Sequence, residues 1–352
     1  MFKSVFIQNF RGINKLEISD LDKINIFVGD NATGKTAVLD AIYILINPNN
    51  PELPLKTNDW RNLGPFFTSS FWRSLFYKFD YKNEILLKAK NGVVTRELII
   101  KPKISVETMV VVDDKTNGEL KASSELEKPV NGVELHFKIG NKSYVSEIEQ
   151  KSIGEAKLNI DQKYQEKMQG NYFNNKTYAN EIDLATKFDV VNQEVGKEVI
   201  IDFLKSFIPS IDDIELDRFR KLIVKDASFR KRVHLNTYGD GVVRGLHIVL
   251  DVLAKGNGIT LIDEVENGLH WSKQEILWRF LHKIILERNQ QLFVTTHSRE
   301  MVDHLYKAGK KEGFLQLVRL YRLQVVNKED IKLVQYKSKE LEFAIKHGEE
   351  FR

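Results

Sequence analysis

The stretch Gly29-Asp30-Asn31-Ala32-Thr33-Gly34-Lys35-Thr36 sets two glycines, an ammonium and a hydroxyl at the spacing that grips a polyphosphate. Glycines let backbone N–H groups approach phosphate oxygens, and a helix starting behind them adds partial positive charge. In that arrangement Lys35 reaches the β- and γ-phosphates, and the Thr36 hydroxyl ligates Mg²⁺. The chemistry needs a strand before the loop and a helix after it. The apolar run Ile24 to Val28 supplies the strand, and Lys35 to Ile46 reads as a helix stopped by Asn47-Pro48-Asn49-Asn50-Pro51.

Three more stretches carry polar groups at places where chemistry is done. Ile259-Thr260-Leu261-Ile262 is a buried-strand pattern that ends in Asp263-Glu264. Ligands of open α/β sheets bind at such strand ends. Asp263 is expected beside Mg²⁺, and Glu264 is expected to orient or deprotonate the attacking water, with Glu266 a competing candidate for that base. Leu292-Phe293-Val294 leads into Thr295-Thr296-His297-Ser298. His297 there reads either as a γ-phosphate contact or as a helix cap. Tyr238-Gly239-Asp240-Gly241 opens a helix carrying Arg244 and offers a second anion-binding turn, or a helix capped by Asp240. Two such surfaces suit two molecules that close each other's sites.

Positioning these groups requires a particular set of elements. Strands at Val5 to Phe10 and Ile24 to Val28 come first, and short alternating runs over 85–139 suggest an antiparallel meander. From 214 onward, strands alternate with helices, which implies a parallel sheet covered by helices. Residues 148–212 are polar and weakly periodic, and the Asn-rich Gly170 to Asn180 reads as a loop tip. The expected organisation is an ATPase unit of 1–147 and 213–352 with a mainly helical, polar arm inserted at 148–212. No heptads run through that arm, which excludes a long coiled coil.

Composition limits the alternatives. The 352 residues are 42% apolar and 29% charged with a formal charge of +4, as in an ordinary globular protein. Cysteine is absent, which removes disulfide frameworks and thiolate metal sites. The N-terminus has no signal-peptide core, and the longest apolar stretch, Ala37 to Ile46, is half a membrane span and holds Asp40. A cytoplasmic protein that does not associate with membrane is expected.

Taken in order, the loop, the glycine turn with its helix, Leu-Ile-Asp-Glu and Thr-Thr-His-Ser resemble the ATP-binding-cassette (ABC) ATPases. Within them the chain is similar to the branch of structural-maintenance, RecF and overcoming-lysogenization-defect (OLD) proteins. FIQNFRGINKLEI, IDEVENGLHWSKQEILWRF, TTHSREM and ELEFAIKHGEEFR carry that likeness over about 1–100 and 214–352. The resemblance implies an α/β fold: an ABC-ATPase-like P-loop domain with a mixed or parallel sheet core, an antiparallel β-subdomain and an inserted helical segment. It implies ATP and Mg²⁺ as cofactors and ATP hydrolysis as the activity. Gly29, Asn31, Gly34, Lys35, Thr36 and Ala37 would form the Walker A loop, with Arg11 near the nucleotide. Asp263 and Glu264 would be Walker B, His297 the switch histidine, and Gly239, Gly241 and Arg244 the signature region. Asn267-Gly268-Leu269-His270 would face the partner of a homodimer or higher homo-oligomer. Two departures stand out: the signature serine is replaced, and no Q-loop glutamine is identified.

Full-length OLD proteins add a Toprim nuclease domain. Only 55 residues follow His297, too few for it, so a separate effector protein is expected. The implied role is an ATPase that switches such an effector, a nuclease or toxin, in antiphage defence. The alternative is a RecF-like DNA-repair clamp, for which residues 217–235 offer seven Lys/Arg against two Asp. A transporter subunit fits less well, because Thr36 and Gly239 are too far apart.

Overall fold

Ile24-Asn25-Ile26-Phe27-Val28 is buried at every position because both of its faces are covered. Ile24, Ile26 and Val28 point into one hydrophobic core, and Phe27 points into the other. The neighbouring strands divide their residues in the same way. Leu292 and Val294 join the first core and Phe293 the second, while Ile262 joins the first and Leu261 the second. This two-residue alternation between two apolar sides is why these strands read as unbroken apolar runs.

The computed structural model describes residues 1–64, 68–104, 129–152, 155–174, 181–254, 256–327 and 330–351. The first third holds β1 (Ser4–Phe10), β2 (Ile13–Ile18), β3 (Ile24–Val28), α1 (Lys35–Ile46), α2 (Glu52–Trp60), α3 (Ser69–Arg73), β4 (Ile85–Lys90) and β5 (Thr95–Ile104). The middle holds β6 (Val130–Ile139), β7 (Lys142–Ser152), β8 (Glu155–Asn159), β9 (Gln169–Phe173), α4 (Glu181–Glu194), α5 (Glu198–Phe207), β10 (Ile211–Leu216), β11 (Leu222–Asp226) and β12 (Val233–His234). The last third holds α6 (Asp240–Leu253), β13 (Gly258–Ile262), α7 (Trp271–Glu287), β14 (Gln291–Thr295), α8 (Arg299–Glu312), β15 (Val318–Val326), β16 (Asp330–Tyr336) and α9 (Ser338–Lys346).

A six-stranded sheet in the order β16-β15-β3-β14-β13-β9 forms the centre. It is parallel from β15 to β9, and only β16 runs antiparallel. Helices α4 to α9 supply the core on one face. Helix α1 and the seven-stranded antiparallel sheet β2-β1-β4-β5-β6-β7-β8 supply the other. Phe27 sits at the centre of that second core, stacked between Phe293 and Tyr321 at 6.4 and 5.4 Å. No helix among the described residues is long and apolar enough to cross a membrane.

The expected α/β class, with its antiparallel subdomain and helical segment, is what forms. The meander over 85–139 is present as β4 to β6, with the part at 105–128 outside the described residues. The polar arm at 148–212 is corrected. Its first residues extend the antiparallel sheet as β7 and β8, pairing Ile148 with Leu158. Among its described residues α4 and α5 are the helices, and both pack into the main core through Phe188, Phe203 and Leu204. The expected loop tip begins as the strand β9, which pairs in parallel with β13, Tyr172 opposite Leu261. The polar letters misled because Tyr172 and Phe173 are buried while Asn171 turns its amide to the Asp251 carbonyl. Residues 175–180 lie outside the described part.

Candidate functional site

Strands β3, β14, β13 and β9 lie side by side and run the same way, so their C-terminal ends open on one edge of the sheet. Each end delivers part of a site. β3 leads into the glycine loop, β14 ends at Thr295, β13 leads into Asp263, and β9 leads into Asn174. This is the crevice in which open α/β sheets take ligands.

The loop geometry explains its glycines. A Cβ on Gly29 would stand 2.3 Å from the Leu323 carbonyl oxygen, so a side chain there collides with β15. Gly34 precedes α1 with φ of 93°, a left-handed conformation that costs a glycine little. Asn31 and Ala32 are exposed on the loop crest, and Ala37 is buried under it. The Lys35 ammonium donates to the Gly29 and Asp30 carbonyls at 2.8 and 2.7 Å, which holds it across the loop. Burial lowers its pKa, and Asp263, Glu266 and Glu264 act in the other direction.

Thr36 and Asp263 meet across the sheet edge. The Thr36 hydroxyl lies 3.1 Å from each Asp263 oxygen, and the Thr295 hydroxyl donates to Asp263 Oδ1 at 2.6 Å. Burial pushes the Asp263 carboxyl up to about 6. The Thr295 and Thr36 hydrogen bonds oppose that rise, and the charges of Asp40 and Glu264 add to it. A buried carboxylate beside a hydroxyl is a hard oxygen donor set that suits Mg²⁺. Thr36 and Asp263 are the residues that would hold it.

Glu264 follows with φ of 52°, an uncommon conformation for a side-chain-bearing residue. Its N–H donates to Thr295 Oγ1 at 2.8 Å, and its Oε2 accepts from Asn267 Nδ2 at 2.6 Å. Glu266 turns the other way. Its Oε1 accepts from the His297 backbone N–H at 2.8 Å and lies 2.9 Å from His297 Nδ1, while its Oε2 is buried without a hydrogen-bond partner. The competing candidate for the base is thus engaged by the histidine. Of the two glutamates, Glu264 stands next to Asp263.

The family model described as AAA ATPase domain matches residues 1–198 and 141–302. The chain belongs to the AAA ATPase domain family. A Helicobacter pylori (strain ATCC 700392 / 26695) protein named ATP/GTP phosphatase is 27% identical over 347 residues, with 92% of each chain covered. The DNA replication and repair protein RecF of Bacillus thuringiensis (strain Al Hakam) is 49% identical over 39 residues, 11% of this chain and 10% of RecF. Among solved structures, an SMC head bound to the C-winged helix domain of ScpA shares the fold. It covers 98% of this chain and 99% of its own, with a TM-score of 0.53 at 10% identity.

In this AAA ATPase domain Arg244 and Arg11, both expected at the nucleotide, make contacts within the chain. Arg244 is only 3% exposed and turns into its own chain. It donates to the Glu264 carbonyl at 3.2 Å and lies 5.1 Å over the Phe173 ring. Within its own chain it supports the Asp263–Glu264 loop. The α6 start is drawn to that same loop, because a Cβ on Gly241 would stand 2.7 Å from the Gly268 carbonyl oxygen. Gly239, with φ of 86°, has open space at its Cβ position. Asp240 does not cap α6, since Gly239 holds the cap position.

Arg11 is likewise buried, at 7% exposure. Its Nε lies 3.0 Å from Asp40 and its other end donates to Thr57 at 2.9 Å, so it braces α1 rather than lying along the loop. Burial pushes its guanidinium down to about 10, with Asp40 opposing. Asp40 also takes Arg61 at 2.8 Å and the Tyr172 hydroxyl at 3.1 Å. Thr36, Asp40, Arg61, Tyr172, Asn174 and Asp263 line one cavity of about 260 Å³. Asp40, Arg61 and Asn174 were not read as site residues in the sequence, and Thr295 was read only as part of the stretch that leads to His297. Asp40 one helical turn after Thr36 was a usable signal, as was Thr295 at a strand end. Arg61 and Asn174 had none, because α2 and β9 were not anticipated.

Proposed function

We propose that the chain is a Mg-dependent ATPase of OLD-like type that dimerises on ATP and controls a separate effector, a Toprim-type nuclease or toxin, in antiphage defence. The observation that carries the catalytic part is the single hydrogen-bonded unit Thr36–Asp263–Thr295–Glu264 at the mouth of the glycine loop. When bound, Mg²⁺ supplies Lewis-acid stabilisation of the charge on the transferring phosphoryl group. The protein's own parts do the rest. The loop N–H groups and Lys35 hold the phosphates, and Glu264 orients the attacking water and takes its proton. His297, half-exposed just after β14, would meet the terminal phosphate.

Dimerisation through the ATP sites is supported by the glycine turn Gly239–Gly241 and the Asn267–His270 loop. These are packed on each other at the rim of the site, where a facing copy would close it. A second reading, a RecF-like DNA clamp, is favoured by one observation. In the basic strip, Asp217 and Asp226 spend their carboxylates on the strip's own turns, accepting from Phe219, Lys221 and Ser228 N–H groups. Against it, Arg220 is paired with Asp189 and Arg232 with Asp213 and Glu215.

The test is purification of the Glu264→Gln chain from its native host with Mg-ATP present. A stoichiometric protein partner on an ATP-dependent dimer supports the effector reading. Bound DNA released by moderate salt, with no protein partner, replaces it with the clamp.

A further inference from the structure

Strands β10, β11 and β12 form a three-stranded antiparallel sheet of their own. It ends in the single helical turn Leu235–Tyr238, which runs straight into Gly239 and α6. Two side chains hold that turn. Leu235 is buried, and the half-buried Tyr238 donates its hydroxyl hydrogen to Oδ2 of Asp226, the last residue of β11. Asp226 is itself buried, and its other oxygen accepts from the Ser228 N–H at 2.7 Å. The backbone around it is fixed as well. Ala227 N–H donates to the Ser210 carbonyl at 2.9 Å, and Phe229 N–H to the Asp226 carbonyl at 3.0 Å. The Tyr238 hydrogen bond is the largest of the causes that keep the Asp226 carboxyl below its ordinary range, so the acceptor is the charged carboxylate.

What this anchor holds is the start of α6. Gly239 has no side chain to hold the glycine turn, and its φ of 86° is one that glycine adopts freely, so the fixing must come from its neighbours. Beyond it the helix meets the Asp263–Glu264 loop at two points. The Gly241 backbone lies so close to the Gly268 carbonyl that a Cβ would stand 2.7 Å from its oxygen, and Arg244 donates to the Glu264 carbonyl at 3.2 Å. We propose that Tyr238 is a positioning residue for hydrolysis, which through Asp226 fastens the start of α6 to the three-stranded sheet and so keeps Arg244 in register with Glu264. This rests on the reading of Glu264 as the base. Tyr238 acts through Arg244 and not on the nucleotide. Loss of its hydroxyl leaves the ring packing and the phosphate loop in place, deprives a buried carboxylate of a donor, and lets the helix start shift.

The experiment compares the natural full chain with Tyr238→Phe, Arg244→Ala and the double variant. It reads kcat and KM for ATP with Mg²⁺, and amide hydrogen exchange without nucleotide. Tyr238→Phe is expected to lower kcat about 3- to 10-fold and to leave KM within about 2-fold. The double variant is expected to stay within about 2-fold of Arg244→Ala alone, because both changes break one line of support. Asp226→Asn, whose amide can still pair with the hydroxyl, keeps kcat within about 2-fold of the natural value. In the exchange measurement the amides of Gly239 to Val242 lose protection in Tyr238→Phe, while those of β3 and β14 keep theirs. A natural kcat in Tyr238→Phe overturns the proposal, as does a raised KM with kcat unchanged. Defects that multiply in the double variant, or unchanged protection at 239–242, overturn it too. If the natural chain hydrolyses no nucleotide, the reading of Glu264 fails instead, and the exchange measurement still decides whether Tyr238 anchors α6.

Discussion

At the scale of single residues, the site is organised by the need to keep buried polar groups matched. Asp263 shows this most clearly, since its pKa is raised from 3.8 to about 6 in the folded chain. A raised carboxyl pKa means the folded state holds the proton more tightly than the unfolded chain. The associated stability is full below about pH 4 and is lost as pH rises through about 6. About two pKa units correspond to at most about 3 kcal/mol. Asp263→Asn should therefore melt higher than the natural protein at about pH 8 without metal, and the gap should close near pH 4; equal melting at pH 8 would show that Asp263 is not strained by burial. Arg244 gives a second residue-scale prediction. Because it holds the Glu264 carbonyl from within the same chain, Arg244→Ala should lower kcat about 10-fold and leave nucleotide affinity within about 2-fold. A variant whose only defect is loss of self-association would return Arg244 to the subunit interface. The sequence placed Lys35, Thr36, Asp263, Glu264 and His297 on one site because each follows an apolar strand. It did not show the inward contacts of Arg11 and Arg244, since nothing in residue type or spacing says whether an arginine turns to a carboxylate or a carbonyl.

Elements decide how far those residues can be held in register. The parallel strands were legible because burial on both faces leaves an unbroken apolar run, as in β3, β13 and β14. β9 was not, since its sequence Gln169-Gly170-Asn171-Tyr172-Phe173 mixes polar and apolar residues. Gly170 is needed there because a Cβ would stand 2.6 Å from the Ile46 side chain at the end of α1. The close approach of α6 to the Gly268 loop is a similar constraint. Gly241→Ala should push the helix off the loop, costing about 1–3 kcal/mol and reducing hydrolysis more than nucleotide binding. An Ala variant with natural stability and turnover would show that this packing is dispensable. In the second core, Phe27→Ala should cost about 3–5 kcal/mol in denaturant unfolding, because the ring lies fully buried between Phe293 and Tyr321. A loss under about 1 kcal/mol would mean that the core collapses to fill the space.

For the whole molecule, the two cores divide the labour. One packs the helices behind the site, and the other fastens α1 and its glycine loop to the antiparallel sheet. The described residues of 148–212, expected as an arm, add β7 and β8 to the antiparallel sheet, β9 to the central sheet and α4 and α5 to the helical layer. Under the proposed function this edge of the sheet hydrolyses a nucleoside triphosphate with Glu264 as base and Lys35 as the phosphate anchor. The most direct measurement compares ATP binding and phosphate release, with Mg²⁺, for the natural chain, Glu264→Gln and Lys35→Ala. The account predicts that Glu264→Gln binds ATP like the natural protein while releasing phosphate at least about 100-fold more slowly, and that Lys35→Ala fails to bind. Undiminished phosphate release by Glu264→Gln, or ATP binding by Lys35→Ala equal to that of the natural chain, would contradict it.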